Sequence, residues 1–246
     1  MIELLEELAG NAWPAPVQQQ LEGWRLRAAG NVTRRANSVL AVGAIPEYGE
    51  WLEEVMRFYR CRGLPVRFHV SDASPEGLEG MLEGMGYLAQ AHTSVQVVRC
   101  EVVLERSVGA GEFEVVGFDG LDAGWLDSFM RIEGHSESKR AMYEAILGSI
   151  GPRRRFVEAR LGGEAVGVGM AVAERGWAGV FNIASDGRYR GRGIGTRVMR
   201  ELALWGRENG ASGMYLQVML DNGGALALYE KLGFGHLYSY HYRVLE

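Results

Sequence analysis

The chain has 246 residues, 47% of them hydrophobic and 23% charged, which is typical of a soluble globular protein with one large domain or two smaller ones. Its net charge of −5 and pI of about 5.7 argue against a nucleic-acid-binding protein, which normally presents a strongly basic face. The two cysteines, Cys61 and Cys100, lack the spacing of a metal site or a disulfide framework, so we expect no metal and a reducing, cytoplasmic environment.

The N-terminal segment M-I-E-L-L-E-E-L-A-G, residues 1–10, is acidic and amphipathic, a pattern that predicts a helix rather than a signal peptide. No segment of the sequence has the roughly 18 consecutive apolar residues that a membrane-spanning helix needs. We therefore expect no membrane and no nucleic acid among the partners, and small molecules fit the composition better.

The first half of the chain resembles the second half at a constant offset of 147 residues. W-L-E-E-V-M-R-F-Y-R-C-R-G, which ends at Gly63, aligns with V-M-R-E-L-A-L-W-G-R-E-N-G, which ends at Gly210, and the same offset pairs Gly86 with Gly233. Any two amphipathic helices align to some extent by chance, but matches in two helices and a strand without a gap favour an internal duplication.

A duplication predicts two similar domains in tandem, residues 1–103 and residues 113–246. The stretch L-E-R-S-V-G-A-G-E at residues 104–112 is small, polar and glycine-containing, which is typical of a linker between domains.

The second half alternates between strand and helix patterns, which predicts a mixed α/β fold. Strands are predicted at residues 113–116, 155–160, 165–173, 177–184 and 213–220, with a last strand to about residue 244, and helices at 121–131, 137–149, 195–208 and 222–232. Arg175 and Gly176 form a turn that makes the third and fourth of these strands a hairpin.

Residues 188–195, R-Y-R-G-R-G-I-G, place three arginines and three glycines where a strand ends and a helix begins. Glycine permits positive φ angles and close approach to a ligand, and the first turn of a helix has N–H groups without intrahelical partners. With arginine donors added, the segment predicts a phosphate or pyrophosphate site, although a solvated turn that binds nothing is the alternative. Its spacing fits neither the P-loop nor the dinucleotide fingerprint, whose third glycine is Thr196 here.

Two segments carry a family resemblance. The run R-x-x-G-x-G from Arg190 to Gly195 resembles the acyl-CoA pyrophosphate loop of the GNAT N-acetyltransferase superfamily. Residues 222–234, N-G-G-A-L-A-L-Y-E-K-L-G-F, resemble the second signature of that family, N-x-x-A-x-x-L-Y-x-x-x-G-F. The resemblance covers about residues 113–246 and extends in a weaker form to the first half through the repeat.

The resemblance implies an acyltransferase that moves an acetyl group from acetyl-CoA to a primary amine of a small molecule or peptide, by direct attack in a ternary complex. In that family the loop amides bind the pyrophosphate, and the preceding strand contacts the pantetheine arm and polarises the thioester carbonyl. The residues so implied in acetyl-CoA binding are Ile183, Ala184, Ser185, Arg190, Gly191, Arg192, Gly193, Ile194, Gly195, Thr196, Asn222 and Tyr229.

Tyr229 matches the tyrosine that protonates the departing CoA thiolate in many members of the family, although a packing role is the alternative. The sequence does not single out one residue as the general base that accepts the proton of the attacking amine. Relatives that acetylate a ribosomal-protein N-terminus carry a glutamate where this chain has Gln217, and glutamine cannot accept the proton.

The remaining candidates for the base lie elsewhere in the second half. Glu133 and Glu137 are the principal ones, with His135 between them and Glu158 on a strand. A glutamate or histidine in such a place is more often a surface charge than a base, and a water relay or a substrate amine of low pKa are the alternatives.

The first half lacks both signatures. The counterpart of the glycine loop at residues 42–47 has lost its arginines and gained a carboxylate, and Leu82 replaces the tyrosine, so we expect no acyl-CoA binding there. Thr33–Val39 is the most polar segment of this half, which suits either acceptor contacts or a strand with one solvated face. A non-catalytic acyl-CoA-binding sensor is the alternative function for the whole chain.

Overall fold

A computed structural model describes residues 1–109 and 113–245 of the protein. The chain divides into two compact units, of which unit 1 is Met1–Ser94 with Tyr238–Glu246 and unit 2 is Val95–Leu237. The predicted linker, residues 104–112, begins inside the helix Cys100–Arg106, and its first residue, Leu104, is buried in the core of unit 2. Its last part, residues 110–112, lies outside the described residues.

Unit 1 begins with the predicted N-terminal helix. Its elements are α1 (Ile2–Ala12), β1 (Val17–Leu21), β2 (Trp24–Ala28), β3 (Val39–Leu40), α2 (Trp51–Arg60), β4 (Arg67–Ser71), α3 (Leu78–Gly84) and β5 (Leu88–Arg99), the last of which crosses the division at Ser94. Strands β1, β2 and β3 pair antiparallel in that order, and β3 pairs parallel with β4.

Aromatic rings fill the core of unit 1. The ring centroid of Trp24 lies 5.1 Å from that of Trp51 and 6.1 Å from that of Phe68, both in edge-to-face contact, which is the preferred geometry for aromatic pairs. Leu82, at the position of the family tyrosine, is fully buried in the same core. This position therefore serves packing in the first half.

The polar segment Thr33–Val39 is a turn and not a strand until its last residue. The buried Asn37 organises it, because its side-chain oxygen accepts hydrogen bonds from the backbone N–H groups of Ala29 and Asn31 and its nitrogen donates to the carbonyl of Thr33. Such side-chain bonds to local backbone stabilise a turn in place of a strand. The strand interpretation of this segment was wrong.

Unit 2 follows the predicted alternation closely. Its elements are α4 (Cys100–Arg106), β6 (Glu114–Phe118), α5 (Ala123–Glu133), α6 (Arg140–Gly148), β7 (Arg153–Leu161), β8 (Glu164–Glu174), β9 (Trp177–Ser185), α7 (Ile194–Glu208), β10 (Gly213–Met219), α8 (Gly223–Lys231) and β11 (Gly235–Val244). Short 3-10 turns precede α6 and α7, at Glu137–Lys139 and Gly187–Tyr189.

Strands β6, β7, β8 and β9 pair antiparallel in sequence order, and β9 pairs parallel with β10. Strand β11 begins in unit 2, but its residues from Tyr238 onwards belong to unit 1, where residues 240–244 pair antiparallel with β4. This differs from the predicted domain 113–246, which assigned the whole last strand to the second half. The mixed α/β fold is confirmed.

Helix α7 packs closely on the sheet of unit 2. Its apolar face buries Val198, Met199 and Leu202 completely. A Cβ atom at Gly169 of β8 would lie 2.6 Å from Val198 Cγ1, and one at Gly167 would overlap Ile194, so glycine at both positions permits this contact. The first turn of α7 is thereby held against β8.

The repeat recurs in the order of elements. At the offset of 147 residues, α2, β4, α3 and β5 correspond to α7, β10, α8 and β11, with α3 and α8 ending and β5 and β11 beginning at matching positions. The corresponding glycines Gly63 and Gly210, and Gly86 and Gly233, all have positive φ angles. The duplication itself stays a prediction that this correspondence supports.

Candidate active site

Unit 2 contains a cavity of about 670 Å³ where the ends of β9 and β10 meet the N-termini of α7 and α8. Its size is in the range of small-molecule sites. Its lining residues are Glu133, Ile183, Ala184, Ser185, Arg190, Gly191, Gly195, Asp221, Asn222, Gly223, Gly224, Ala225, Leu228 and Tyr229.

One wall of the cavity is the end of β9. The parallel pairing between β9 and β10 extends only to Leu216 opposite Val180. On its other side β9 has a bulge, where Asn182 has a φ angle of 54° and the register with β8 shifts between Val168 and Met170. Such a bulge bends a strand. Beyond Val180 the edge of β9 that faces away from β8 therefore offers backbone N–H and C=O groups to the cavity.

The glycine loop and the start of α7 form a second wall. Gly191 and Gly193 have φ angles of 77° and 83°, a left-handed conformation that L side chains rarely adopt. Gly193 is the N-cap residue of α7, so the first N–H groups of the helix lack intrahelical partners. Arg190 is exposed and, among the described residues, forms no ion pair. This wall therefore suits an anion.

The start of α8 forms the third wall. The Asn222 side-chain oxygen accepts a hydrogen bond from the backbone N–H of Ala225 at 3.1 Å, which caps the helix. A Cβ atom at Gly195 would lie 2.8 Å from Leu228 Cδ2, so glycine at this position lets α7 and α8 approach each other. Gly195 therefore has a packing role between the two helices, in addition to its predicted role in binding acetyl-CoA.

Eight of the twelve residues predicted to bind acetyl-CoA line the cavity. The others do not: Arg192, Gly193, Ile194 and Thr196 are absent from its lining. Ile194 is 2% exposed because it packs in the core, and Thr196 is also buried. The guanidinium of Arg192 lies 5.7 Å from the ring centroid of Tyr189.

Arg188, which the sequence suggested as a phosphate donor, is held elsewhere. Its guanidinium pairs with Asp186 and Glu164, at 2.7 and 2.6 Å, and lines a second cavity of about 440 Å³. Because Asp186 and Glu164 neutralise Arg188 in this structure, its guanidinium does not line the cavity with Arg190, and a shared anion for the three loop arginines stays a prediction.

Tyr229 and Glu133 lie in the same cavity, the tyrosine on α8 and the carboxylate on the last turn of α5. The Tyr229 side chain is buried, and its ring centroid is 5.7 Å from that of Phe234. Burial first, and then the charge of Glu133, raise the pKa of Tyr229 to about 12. Desolvation likewise raises the pKa of Glu133 above its usual value. The pair is thus electrostatically coupled.

The other candidates for the base lie outside the cavity lining. Glu137 is exposed and forms an ion pair with Arg140, and the buried Glu158 pairs with Arg160 at 2.6 Å. His135 Nε2 is hydrogen-bonded to the hydroxyl of Tyr143 at 3.0 Å. Burial lowers the pKa of His135. Of the predicted bases, the structure brings only Glu133 into the cavity with Tyr229.

Five lining residues were missed from the sequence. They are Asp221, Gly223, Gly224, Ala225 and Leu228. All five lie next to Asn222 or within the second signature. Their position at or near the start of a helix, where the first N–H groups have no intrahelical partners, could have identified them from the sequence. The prediction had taken only Asn222 and Tyr229 from this segment.

The described residues include neither a cluster of metal ligands nor a membrane-spanning helix. No group of three or more His, Cys, Asp or Glu side chains is arranged to hold a metal ion within residues 1–109 and 113–245. Within the same residues, every helix is too short or too polar to cross a membrane.

Known proteins resemble the chain over nearly its whole length. A family model described as probable histone acetyltransferase Rv0428c C-terminal matches residues 1–243. The uncharacterized N-acetyltransferase YobR of Bacillus subtilis (strain 168) is 35% identical over 243 residues, which cover 99% of this chain and 98% of that protein. The N-alpha-acetyltransferase RimI of Mycobacterium tuberculosis (strain ATCC 25618 / H37Rv) is 40% identical over 88 residues, 34% of this chain and 53% of that protein.

Solved structures agree in fold. A GCN5-related N-acetyltransferase from Kribbella flavida superimposes with a TM-score of 0.71 at 17% identity, over 99% of this chain and 94% of that one. A tandem GNAT protein from the clavulanic acid biosynthesis pathway gives a TM-score of 0.64 at 15% identity, over 80% and 68% of the two chains. The chain therefore belongs to the Rv0428c C-terminal acetyltransferase family, within the GNAT superfamily.

Proposed function

We propose that unit 2 binds acetyl-CoA in the 670 Å³ cavity and catalyses transfer of the acetyl group to a primary amine by direct attack. The observation that carries this proposal is the convergence of three features on one cavity. These are a glycine loop at a helix N-terminus, a strand edge without a partner strand beyond Val180, and a buried tyrosine that shares the cavity with a carboxylate.

The lining fits the chemistry of acetyl-CoA from one end to the other. The backbone N–H groups at Gly191 and Gly195, with the guanidinium of Arg190, suit the negative charges of the pyrophosphate. The free edge of β9 at Ile183–Ser185 suits the amide groups of the pantetheine arm, because an extended ligand can pair with an open strand edge. Backbone donors at this edge would also polarise the thioester carbonyl.

Tyr229 is the proposed proton donor to the CoA sulfur. With a pKa of about 12 its phenol is fully protonated at neutral pH, so it is ready to donate. A thiol has an ordinary pKa of about 8.5, so complete transfer from such a phenol to a thiolate is unfavourable unless the pKa of Tyr229 falls during the reaction.

Glu133 contributes to that fall if it is the general base, whereas the larger effect of burial remains. Its negative charge contributes to the raised pKa of Tyr229, and that contribution disappears when Glu133 accepts the proton of the attacking amine. Protonation of the base therefore strengthens the acid. The raised pKa of Glu133 also makes its carboxylate a better proton acceptor than a glutamate with the ordinary pKa.

Direct attack is proposed because the lining of the cavity contains no cysteine among the described residues. Cys100 is buried, and desolvation raises the pKa of its thiol to about 11, which leaves it protonated and unreactive. A covalent acyl-enzyme at a cysteine thus has no suitable nucleophile in unit 2.

The test is release of CoA thiol on incubation with acetyl-CoA and a panel of primary amines, covering small polyamines, peptides with free N-termini and lysine-containing peptides. The proposal predicts thiol release that depends on at least one class of amine and is strongly reduced in Tyr229→Phe. Binding of acetyl-CoA without amine-dependent release across the panel would instead indicate a non-catalytic acyl-CoA-binding protein.

A further inference from the structure

Asp186, the first residue after β9, is the centre of an ionic cluster that has no role in the proposed reaction. Asp186 Oδ1 accepts hydrogen bonds from the backbone N–H of Arg188 at 2.9 Å and from its Nε at 3.1 Å, and Oδ2 accepts one from its Nη2 at 2.7 Å. The Asp186 side chain is only 12% exposed. It therefore fixes both the backbone and the side chain of Arg188.

Two further charged groups close the cluster. Glu164, the first residue of β8, pairs with Arg188 Nη2 at 2.6 Å. Arg131 of α5 lies 3.4 Å from Asp186 and 3.7 Å from Glu164, and its Nη2 donates to the carbonyl of Ala165 at 2.6 Å. The two arginines and two carboxylates balance in charge, so the cluster has no unpaired charge with which to attract an anion.

The cluster connects the loop to the rest of the site. Asp186 follows directly after Ser185 of the cavity wall, and Arg188 comes two residues before Arg190. Arg131 is on the same helix as Glu133, two residues earlier. Contacts of one charged cluster thus join the strand edge, the loop and the helix that bears the proposed base.

We infer that Asp186 is a positioning residue for acetyl-CoA binding: by holding Arg188 outside the cavity, it orders residues 187–191 so that Arg190 and the loop N–H groups face the pyrophosphate. The inference rests on the proposed function. Ordering of a loop in its binding conformation raises affinity because the ligand then selects a populated state, whereas a loop that is competent for a tenth of the time binds about tenfold more weakly.

The test is a double-mutant cycle with acetyl-CoA affinity measured by calorimetry. Asp186→Asn should raise the Kd about tenfold, and Arg188→Ala should raise it less, because the backbone N–H of residue 188 still donates to Asp186 in that variant. The double variant should raise the Kd no further than Asp186→Asn does. The kcat at saturating acetyl-CoA should stay within about twofold of wild type in all three, so the loss should appear in KM. Asp119→Asn is the matched control, because it breaks an exposed ion pair with Arg155 that is absent from the cavity lining.

Three outcomes would overturn the inference alone, given wild-type binding. The first is tighter binding in Asp186→Asn with weaker binding in Arg188→Ala, since a released Arg188 would then be a phosphate ligand. The second is additive losses in the double variant. The third is unchanged affinity in both single variants, whether or not their unfolding temperatures fall. Failure of the wild-type protein to bind acetyl-CoA would instead overturn the proposed function, and this inference with it.

Discussion

Replacement of Gly191 by alanine should weaken acetyl-CoA binding without any steric clash. A Cβ atom at this position meets nothing within 4 Å, so the change acts only through the backbone φ angle of 77°. That conformation costs an L residue about 1–2 kcal/mol. Gly191 lies in an exposed loop, which can relax to another conformation when no ligand is bound. The ligand must then restore the strained conformation, and the Kd should rise about 5- to 30-fold.

Gly176 offers a control with the same local geometry. Its φ angle is 80° and its Cβ would also meet nothing within 4 Å, but it lies in the hairpin turn between β8 and β9, outside the cavity lining. Pairing of Glu174 with Trp177 holds this turn in place, so the strain cannot be relieved by local relaxation. Gly176→Ala should therefore lose about 1–2 kcal/mol of unfolding free energy, or roughly 2–8 °C in Tm, with no change in Kd.

Calorimetric titration of acetyl-CoA into the wild-type protein and both variants, with thermal unfolding of each, distinguishes these effects. An affinity of Gly191→Ala within twofold of wild type would refute the assigned role of the loop conformation. If Gly176→Ala weakened acetyl-CoA binding as much as Gly191→Ala does, the effect on affinity would not be specific to the glycine loop.

Two further predictions concern the chemical step. Tyr229→Phe should lower kcat by about 10²- to 10⁴-fold while the acetyl-CoA Kd changes little, because the phenol is proposed to act only on the leaving sulfur; steady-state kinetics with calorimetry checks this. Activity of the wild-type protein should rise with pH through the raised pKa of Glu133, since the base must be ionised, and Glu133→Gln should lack that rise in a pH–rate profile. The same variant should lower the pKa of Tyr229, which ultraviolet difference titration would detect.

Local patterns were sufficient to predict most elements of unit 2. The alternation of apolar residues and the Arg175-Gly176 turn predicted the β8–β9 hairpin, and both turn residues have positive φ angles as such a turn requires. The glycine pattern at residues 191–195 likewise predicted the start of α7. The hairpin and the helix start depend on residues that are close in sequence, so both could be predicted from the sequence alone.

Contacts between distant residues could not be predicted in this way. Arg188 looked equivalent to Arg190 in sequence, but Asp186 and Glu164 hold it outside the cavity lining, and the contact with Glu164 joins residues 24 positions apart. Glu133 and Glu137 are four residues apart, but α5 ends at Glu133 and its C-cap Gly134 is left-handed, so the chain turns away and only Glu133 lines the cavity. The end of the β9–β10 pairing at Val180 is also a tertiary feature that no local pattern marks.

The most direct test of the account is the unfolding temperature of the wild-type protein with and without acetyl-CoA. A ligand at about 100 times its Kd stabilises the folded state by roughly 2.7 kcal/mol, which for a chain of this length corresponds to an increase in Tm of about 5–10 °C. The account predicts an increase of that size, which Gly191→Ala should reduce at the same ligand concentration. An unchanged Tm at saturating acetyl-CoA would contradict the central claim that this cavity binds the acetyl donor.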